Sequence, residues 1–394
     1  MKVLKLLLGL MILPIVFGFS NIAHRGDNEE GKYVEHSYQA YDRAAAGGAD
    51  YLELDIHQTK DGVLVVSHDD NLSRVFGVDK VITLTDYKDL KNYRNRANEP
   101  LHTLEEVFER YRSVPKLKFM IETKNKTKKI GMEPELVDLI QKYHFTDRVL
   151  IESFSIQSLK QVKKLDPQIK TCLLGNQYTQ VGENDYYANG NYSEKIANYL
   201  KDHHKKYLVW GVDTKNQMNY FINNKMVEGV LTNYPIKLAR IKREKRQLWL
   251  PINGNIYLAT KNARPQKFMK RGRQHPIQKH LKVNHPYKLF KIAFRNHNLW
   301  YELGKNQWVK AEDISFYPPS CQSKSAPQLK IGMLQVISKR VKVYNSPKGK
   351  GHKNSNLKRN TKWQYFAIMT YKKQEYYNLG GNQWIDSKDV KVIR

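Results

Sequence analysis

Short β-prone apolar runs alternate with amphipathic segments over about residues 19–240, which predicts an α/β chain built on a (β/α)8 TIM barrel. An internal repeat in the last third, rich in aromatic and β-branched residues, predicts two small all-β modules after it. Charge divides the chain at the same place. Residues 1–246 hold 38 basic against 32 acidic side chains, and residues 247–394 hold 29 against 6.

The 394 residues suit two or three domains of roughly 100–200 residues each. With 40% hydrophobic and 27% charged residues, the composition excludes a disordered or collagen-like chain. No apolar run reaches the roughly 18 residues of a membrane span, which excludes a multi-span protein. Two cysteines, Cys172 and Cys321, exclude a disulfide framework and a cysteine-rich zinc site.

Lys2 and Lys5 precede an apolar run of 14 residues, Leu6 to Phe19, the size of a signal-peptide core. Residues 1–20 are therefore expected to be a signal peptide or an uncleaved anchor. Any cleavage falls at or before Ser20, because Phe19–Ala23 is needed as the first strand. The net charge of +29 calls for a polyanionic partner. Export removes nucleic acid and leaves anionic surface polymers; a membrane is a partner only if the N-terminal segment stays uncleaved.

Candidate strands are Phe19–Ala23, Tyr51–Ile56, Val63–Ser67, Leu117–Glu122, Arg148–Glu152, Lys170–Leu174, Tyr207–Val212 and Gly229–Leu231. Amphipathic segments Ser37–Ala46, Leu104–Tyr111, Glu135–Tyr143 and Ile156–Leu165 lie between them. An open doubly wound sheet is the alternative. No glycine-rich phosphate loop opens a helix after the first strand, which favours the barrel.

Reactive residues fall at the predicted strand ends, where barrel active sites lie. His24 and Arg25 follow the first strand, and Glu53 and Asp55 end the second. His68 follows the third, Glu122 and Lys124 close the fourth, and Trp210 sits near the end of the seventh. Glu53, Asp55 and Glu122 are hard oxygen ligands that suit Ca2+ or Mg2+. Arg25 and Lys124 supply positive charge for a phosphate. His24 and His68 titrate near neutrality, so one takes a proton while the other gives one. His36, His57, His102, His144, His203 and His204 are taken as structural.

The run Ile22-Ala23-His24-Arg25-Gly26, Glu35 and the stretch Gly48 to Asp55 resemble the glycerophosphodiester phosphodiesterase family. The likeness continues through Thr59 to Asp69, Leu72, Arg74, Leu101 to Glu106, Ile121 to Lys124, Ser153-Phe154, Trp210 and Leu231 to Pro235. The resemblance implies a (β/α)8 barrel with one divalent cation on Glu53, Asp55 and Glu122. It also implies His24 and His68 as the acid–base pair, with Arg25 and Lys124 on the phosphate and Trp210 in the substrate pocket. The family splits glycerophosphodiesters into an alcohol and sn-glycerol 3-phosphate. Two departures bear on substrate choice. His36-Ser37 replace the usual Asn-Thr, and Asn233 stands where an Asp is common.

Sliding 281–316 onto 357–392 gives twelve identities in 36 positions without a gap. The clearest block pairs Leu303-Gly304-Lys305-Asn306-Gln307-Trp308 with Leu379-Gly380-Gly381-Asn382-Gln383-Trp384. Trp308 and Trp384 are expected as core residues. The repeat resembles the SH3-like wall-anchoring domain of bacterial surface-layer proteins, which implies attachment to anionic cell-wall polymer such as teichoic acid.

The expected order is 1–20 signal or anchor, 21–240 barrel, 241–250 basic linker, 251–316 first repeat, 317–329 linker and 330–394 second repeat. The expected protein is an exported, wall-attached, metal-dependent glycerophosphodiester phosphodiesterase, with glycerol-phosphate teichoic acid as a candidate substrate. The alternatives are a catalytically silent wall-binding protein and a phospholipase D-like enzyme of the same barrel superfamily.

Overall fold

The computed structural model describes residues 18–124, 131–242, 249–259, 263, 265–268, 274–277, 281–318, 326–349, 351–353 and 357–393. The expected signal segment up to residue 17, residues 243–248 of the expected basic linker and Cys321 lie outside these residues.

Nine strands form the first sheet: β1 (Ser20–Ala23), β2 (Tyr51–Gln58), β3 (Leu64–Val66), β4 (Lys118–Thr123), β5 (Val149–Ser153), β6 (Lys170–Leu174), β7 (Tyr186–Asn189), β8 (Lys206–Val209) and β9 (Gly229–Thr232). All pair in parallel except β3. Because β1 pairs with both β2 and β9, eight strands close into a barrel. Their outer faces, with Leu54, Ile121 and Ile151, pack on Val107, Leu136 and Leu159 of the surrounding helices. Among the described residues, no helix is long and apolar enough to cross a membrane.

Two sequence expectations need correction. Val63–Ser67 is not a barrel strand, since β3 turns back antiparallel on β2. The connection from Gln58 to Leu64 is far shorter than the dozen or so residues of a parallel crossover. Thr59 closes it, its hydroxyl donating to Asp61 at 2.6 Å and accepting from the Val63 N–H at 3.0 Å. The eighth barrel strand is instead β7, a four-residue piece without an apolar run. Glu122 therefore stands on the third strand of the barrel, and His68 follows a hairpin.

Strand alternation decides what fills the barrel. Ile22, Met120, Leu150, Cys172, Leu208 and Leu231 form an apolar layer inside it. Two residues further along the same faces come His24, Glu122, Glu152, Trp210 and Asn233, all at the C-terminal end. The site thus rests on a dry floor.

The repeat carries over into structure at the same 76-residue offset. Strands Asn298–Glu302 and Gln374–Asn378 correspond, as do Trp308–Lys310 and Trp384–Asp386. Each copy is antiparallel. Strand Gln328–Val336 begins within the stretch 317–329.

The copies dock differently. Ile292, Leu299 and Tyr301 of the first share a core with Ala44, Phe108 and Tyr111 on the barrel's flank. Leu329, Ala367, Met369 and Trp384 of the second join Leu72, Val75 and Phe76 at the barrel mouth. Trp308 packs within its own module on Phe268 and Trp300. Trp384 is buried against the barrel and donates its indole N–H to Ser73 Oγ at 2.6 Å.

The first repeat is held by a buried acid. Asp42 accepts from Arg110 Nη2 at 2.6 Å, the Tyr111 hydroxyl at 2.7 Å and the Tyr301 hydroxyl at 2.9 Å. Replacing Asp42 with Ala leaves the Arg110 guanidinium buried without its counter-charge. The expected loss is about 3–5 kcal/mol of stability, read as a lower urea midpoint.

Candidate active site

Register assembles the acidic centre. Asp55 lies opposite Glu122 across β2 and β4, and Glu122 lies opposite Glu152 across β4 and β5. Glu53, two residues before Asp55, faces the same side. Ligand oxygens of Glu53, Asp55 and Glu122 all lie within 4.8 Å of one another. Hard carboxylate oxygens gathered this closely fit a divalent cation of the Ca2+ or Mg2+ kind. The fourth carboxylate, Glu152, is buried, and its Oε2 has no hydrogen-bond partner.

Gathering these charges shifts their acidities. Burial, reinforced by Asp55 and Glu152, pushes the Glu53 carboxyl well above the usual range. Burial and Asp55 push Glu122 up to about 8. Burial acts the same way on Asp55 but is overcome by Lys124, His68 and Arg25 and by a hydrogen bond from His36, which hold it well below.

Cations surround the cluster. Lys124 Nζ spans Asp55 Oδ1 at 3.0 Å and Glu122 Oε2 at 2.9 Å. Arg25 donates its backbone N–H to Glu53 Oε2 at 2.7 Å and sets Nε 3.3 Å from Asp55 Oδ2. Arg25 and His36 both carry left-handed backbone, with φ of 57° and 56°. Such conformations cost on the order of 1–3 kcal/mol each and persist where the surroundings enforce them. His36 lies 2.8 Å from Asp55 Oδ2 through Nε2.

The two predicted histidines face a common cavity of about 450 Å³. Their surroundings differ. Asn233 donates Nδ2–H to Asp213 at 2.8 Å, so its Oδ1 accepts, taking the Asn28 amide at 3.0 Å. The same oxygen lies 2.9 Å from His24 Nδ1. His24 therefore carries its proton on Nδ1 and offers a bare Nε2. Burial and the neighbouring Arg25 lower its pKa to about 3, against the pull of Asp55. His68 is more open and sets Nδ1 2.8 Å from Asp69 Oδ1. Arg74 donates to Asp69 at 2.6 Å and bidentately to Glu35 at 2.6 and 2.8 Å.

Trp210 packs on the apolar layer inside the barrel and meets Phe154 edge-on at 6.2 Å. Phe154 lines a second cavity of about 830 Å³, together with His68, Glu122 and Lys124. Sequence reasoning named His24, Arg25, Glu53, Asp55, His68, Glu122 and Lys124, and all meet at this end of the barrel. It gave no role to Asp69, Arg74, Asp213 or Glu152. It also placed His36 and His57 as structural, and both buried rings brace the site, His57 lying 3.3 Å from the His68 carbonyl. Asp69 and Arg74 stood inside the quoted motif. Asp213 and Glu152 carried no local signal.

Residues 24–237 match the Glycerophosphoryl diester phosphodiesterase family, and residues 332–387 match the Surface layer protein A domain. The chain is similar to a glycerophosphodiester phosphodiesterase of Caldanaerobacter subterraneus subsp. tengcongensis. Identity is 33% over 242 residues, covering 57% of this chain and 97% of that one. A glycerophosphodiester phosphodiesterase of Bacillus subtilis is 30% identical, with 56% and 86% covered. Among solved structures, an Oleispira antarctica phosphodiesterase in complex with the product sn-glycerol-3-phosphate aligns with a TM-score of 0.51. It is 20% identical, with 58% and 98% covered, and speaks for the fold.

Asn233→Asp places a carboxylate at His24 Nδ1. The His24 pKa, followed by NMR of its ring protons, is expected to rise from about 3 toward the ordinary histidine value. An unchanged titration would mean that Asn233 does not hold the ring.

Proposed function

The chain belongs to the glycerophosphoryl diester phosphodiesterase family, and from that premise we propose that His24 and His68 are its acid–base pair. Its activity is hydrolysis of glycerophosphodiesters. The observation that carries the assignment is that both histidines open on one cavity beside three clustered carboxylates.

His24 enters the reaction as the base, because the bonding of its Nδ1 leaves Nε2 free to accept a proton. The negative charge of an arriving phosphate raises its proton affinity toward the working pH. His68 is the acid: Asp69, held by Arg74, orients its ring through Nδ1, and its other nitrogen gives a proton to the leaving oxygen. The attacking hydroxyl, from water or the glycerol itself, loses its proton to Nε2 as its oxygen bonds to phosphorus. The P–O bond to the alcohol breaks, and the alcohol oxygen takes the His68 proton. Water attack gives sn-glycerol 3-phosphate and the alcohol directly. Attack by glycerol gives a cyclic phosphate that water then opens. Arg25 and Lys124 bear on the phosphate oxygens, and Trp210 lines neither cavity itself but backs Phe154, which lines the larger one.

Glu53, Asp55 and Glu122 would hold one divalent cation, Ca2+ or Mg2+. When bound, such an ion offsets their mutual repulsion and the charge developing on the phosphate. His36 holds Asp55 in place for it.

We further propose that the protein is exported and held at the cell wall. The basic start and apolar run up to Phe19 support export. The surface-layer-like region and the excess charge beyond residue 247 support attachment to teichoic acid. A poly(glycerol phosphate) is a string of the bonds this family cleaves, so wall polymer is a substrate as well as an anchor. The proposed division keeps the expected order of signal or anchor, barrel, basic linker to 250, first repeat 251–316, linker and second repeat, with the barrel starting at Ser20 of β1 and the second repeat at Gln328, inside the expected linker 317–329.

The test is release of glycerol 3-phosphate from glycerophosphocholine. The wild-type chain is expected to turn over with Ca2+ or Mg2+ and to stop on EDTA treatment. His24→Ala is expected to lose about 10²–10⁴-fold in kcat. Glu53→Ala is expected to lose its metal response. Full activity in EDTA would overturn the cation site, and a fully active His24→Ala would overturn the base.

A further inference from the structure

The second repeat reaches into the catalytic cavities. The smaller cavity has His24 and His68 on one side and Leu329, Ile331 and Phe366 of the repeat on the other. The larger has His68, Glu122 and Lys124 facing Asn382. Both share His68, Asp69 and Gly381, so the turn Gly380–Asn382 stands over the junction of two arms that diverge from His68.

This wall is rigidly placed. Trp384, two residues beyond the turn, is fully buried and bonded to Ser73, and Ser73 Oγ donates to the Asn345 carbonyl at 2.9 Å. Gly31 has φ of +96°, and a Cβ there would come within 2.9 Å of the Leu329 backbone. The turn is tied by buried Asn378, which donates to the Gly381 carbonyl at 2.9 Å and accepts from the Gly380 N–H at 3.0 Å. Its counterpart in the first repeat, Gly304 to Asn306, lines neither of these cavities, and Phe290, equivalent to Phe366, is exposed.

We propose that the second repeat is a wall of the active site and selects for a substrate longer than one glycerophosphodiester unit. The substrate is a chain of glycerol phosphates that runs through both arms, past His68 and beneath Gly381. A diester has two substituents on phosphorus, and two arms leaving the histidine give each its own exit. Cavities of about 450 and 830 Å³ hold more than a single small headgroup. Exposed Lys330 on the rim of the smaller arm adds charge for a further phosphate. The proposal rests on the phosphodiesterase reading above.

The test compares kcat and KM on purified poly(glycerol phosphate) and on glycerophosphocholine, using the full chain. Phe366→Ala and Asn382→Ala, one in each arm, are expected to lower the polymer-to-small-diester ratio of kcat/KM at least tenfold. The loss should lie in the polymer KM. Phe290→Ala in the first repeat should leave the ratio unchanged, and thermal melts should match wild type for all three. An unchanged ratio in both arm variants would overturn the proposal. So would a wild-type chain that cleaves glycerophosphocholine but not the polymer, with the family activity intact. A wild-type chain that cleaves neither would overturn the phosphodiesterase reading itself.

Discussion

Four carboxylates converge at one end of the barrel, and the side chains around them exist in large part to keep them there. Glu53, Asp55, Glu122 and Glu152 are nearly or wholly out of water. Like charges at such spacing repel strongly unless countered. Lys124 and Arg25 supply the counter-charge, His36 fixes one oxygen of Asp55, and the left-handed turn at Arg25 aims a backbone N–H at Glu53. A divalent cation, when bound, would complete the same balance. The histidines stand outside this ring, each held by its own partner, Asn233 for His24 and Asp69 for His68. That difference in partners is the basis on which we propose to divide the two proton-transfer roles.

The repeats show one sequence unit put to two uses. Tyr301 and Tyr377 are equivalent, yet Tyr301 donates to Asp42 of the barrel and Tyr377 bonds Glu375 within its own module. Trp308 and Trp384 diverge likewise, the first packing internally and the second against the barrel mouth. What differs is the surface each copy meets. The first meets a helix flank with a buried acid, and the second meets the short helix Ser73–Phe76 that carries Arg74, next to the loop of His68. The surface-layer-like region and the carboxylate end of the barrel therefore share a boundary.

Most of the fold and site was legible because barrel strands end where their reactive residues begin. Each motif, such as His24-Arg25-Gly26 or Glu53-Leu54-Asp55, marks both a strand end and candidate site residues. The hairpin strand Val63–Ser67 passed for a barrel strand because its apolar run looks the same in either setting. Only the short turn from Thr59 betrays it. Tyr186–Asn189 was missed because four residues pairing on both sides need no hydrophobic run of their own. Glu152 and Asp213 act through register and long-range hydrogen bonds, which no local spacing encodes. The burial of Trp384 was expected, but its partner in the barrel was not, because the repeat alone says nothing about what it faces.

The central claim is that barrel and second repeat enclose one phosphodiester site around His24 and His68. A crystal structure of the full chain with Ca2+ and sn-glycerol 3-phosphate tests it most directly. The account predicts the phosphate between His24 Nε2 and His68, touching Arg25, with the glycerol under the Gly380–Asn382 turn. A phosphate bound away from both histidines, or a second repeat lifted off the barrel mouth, would contradict it.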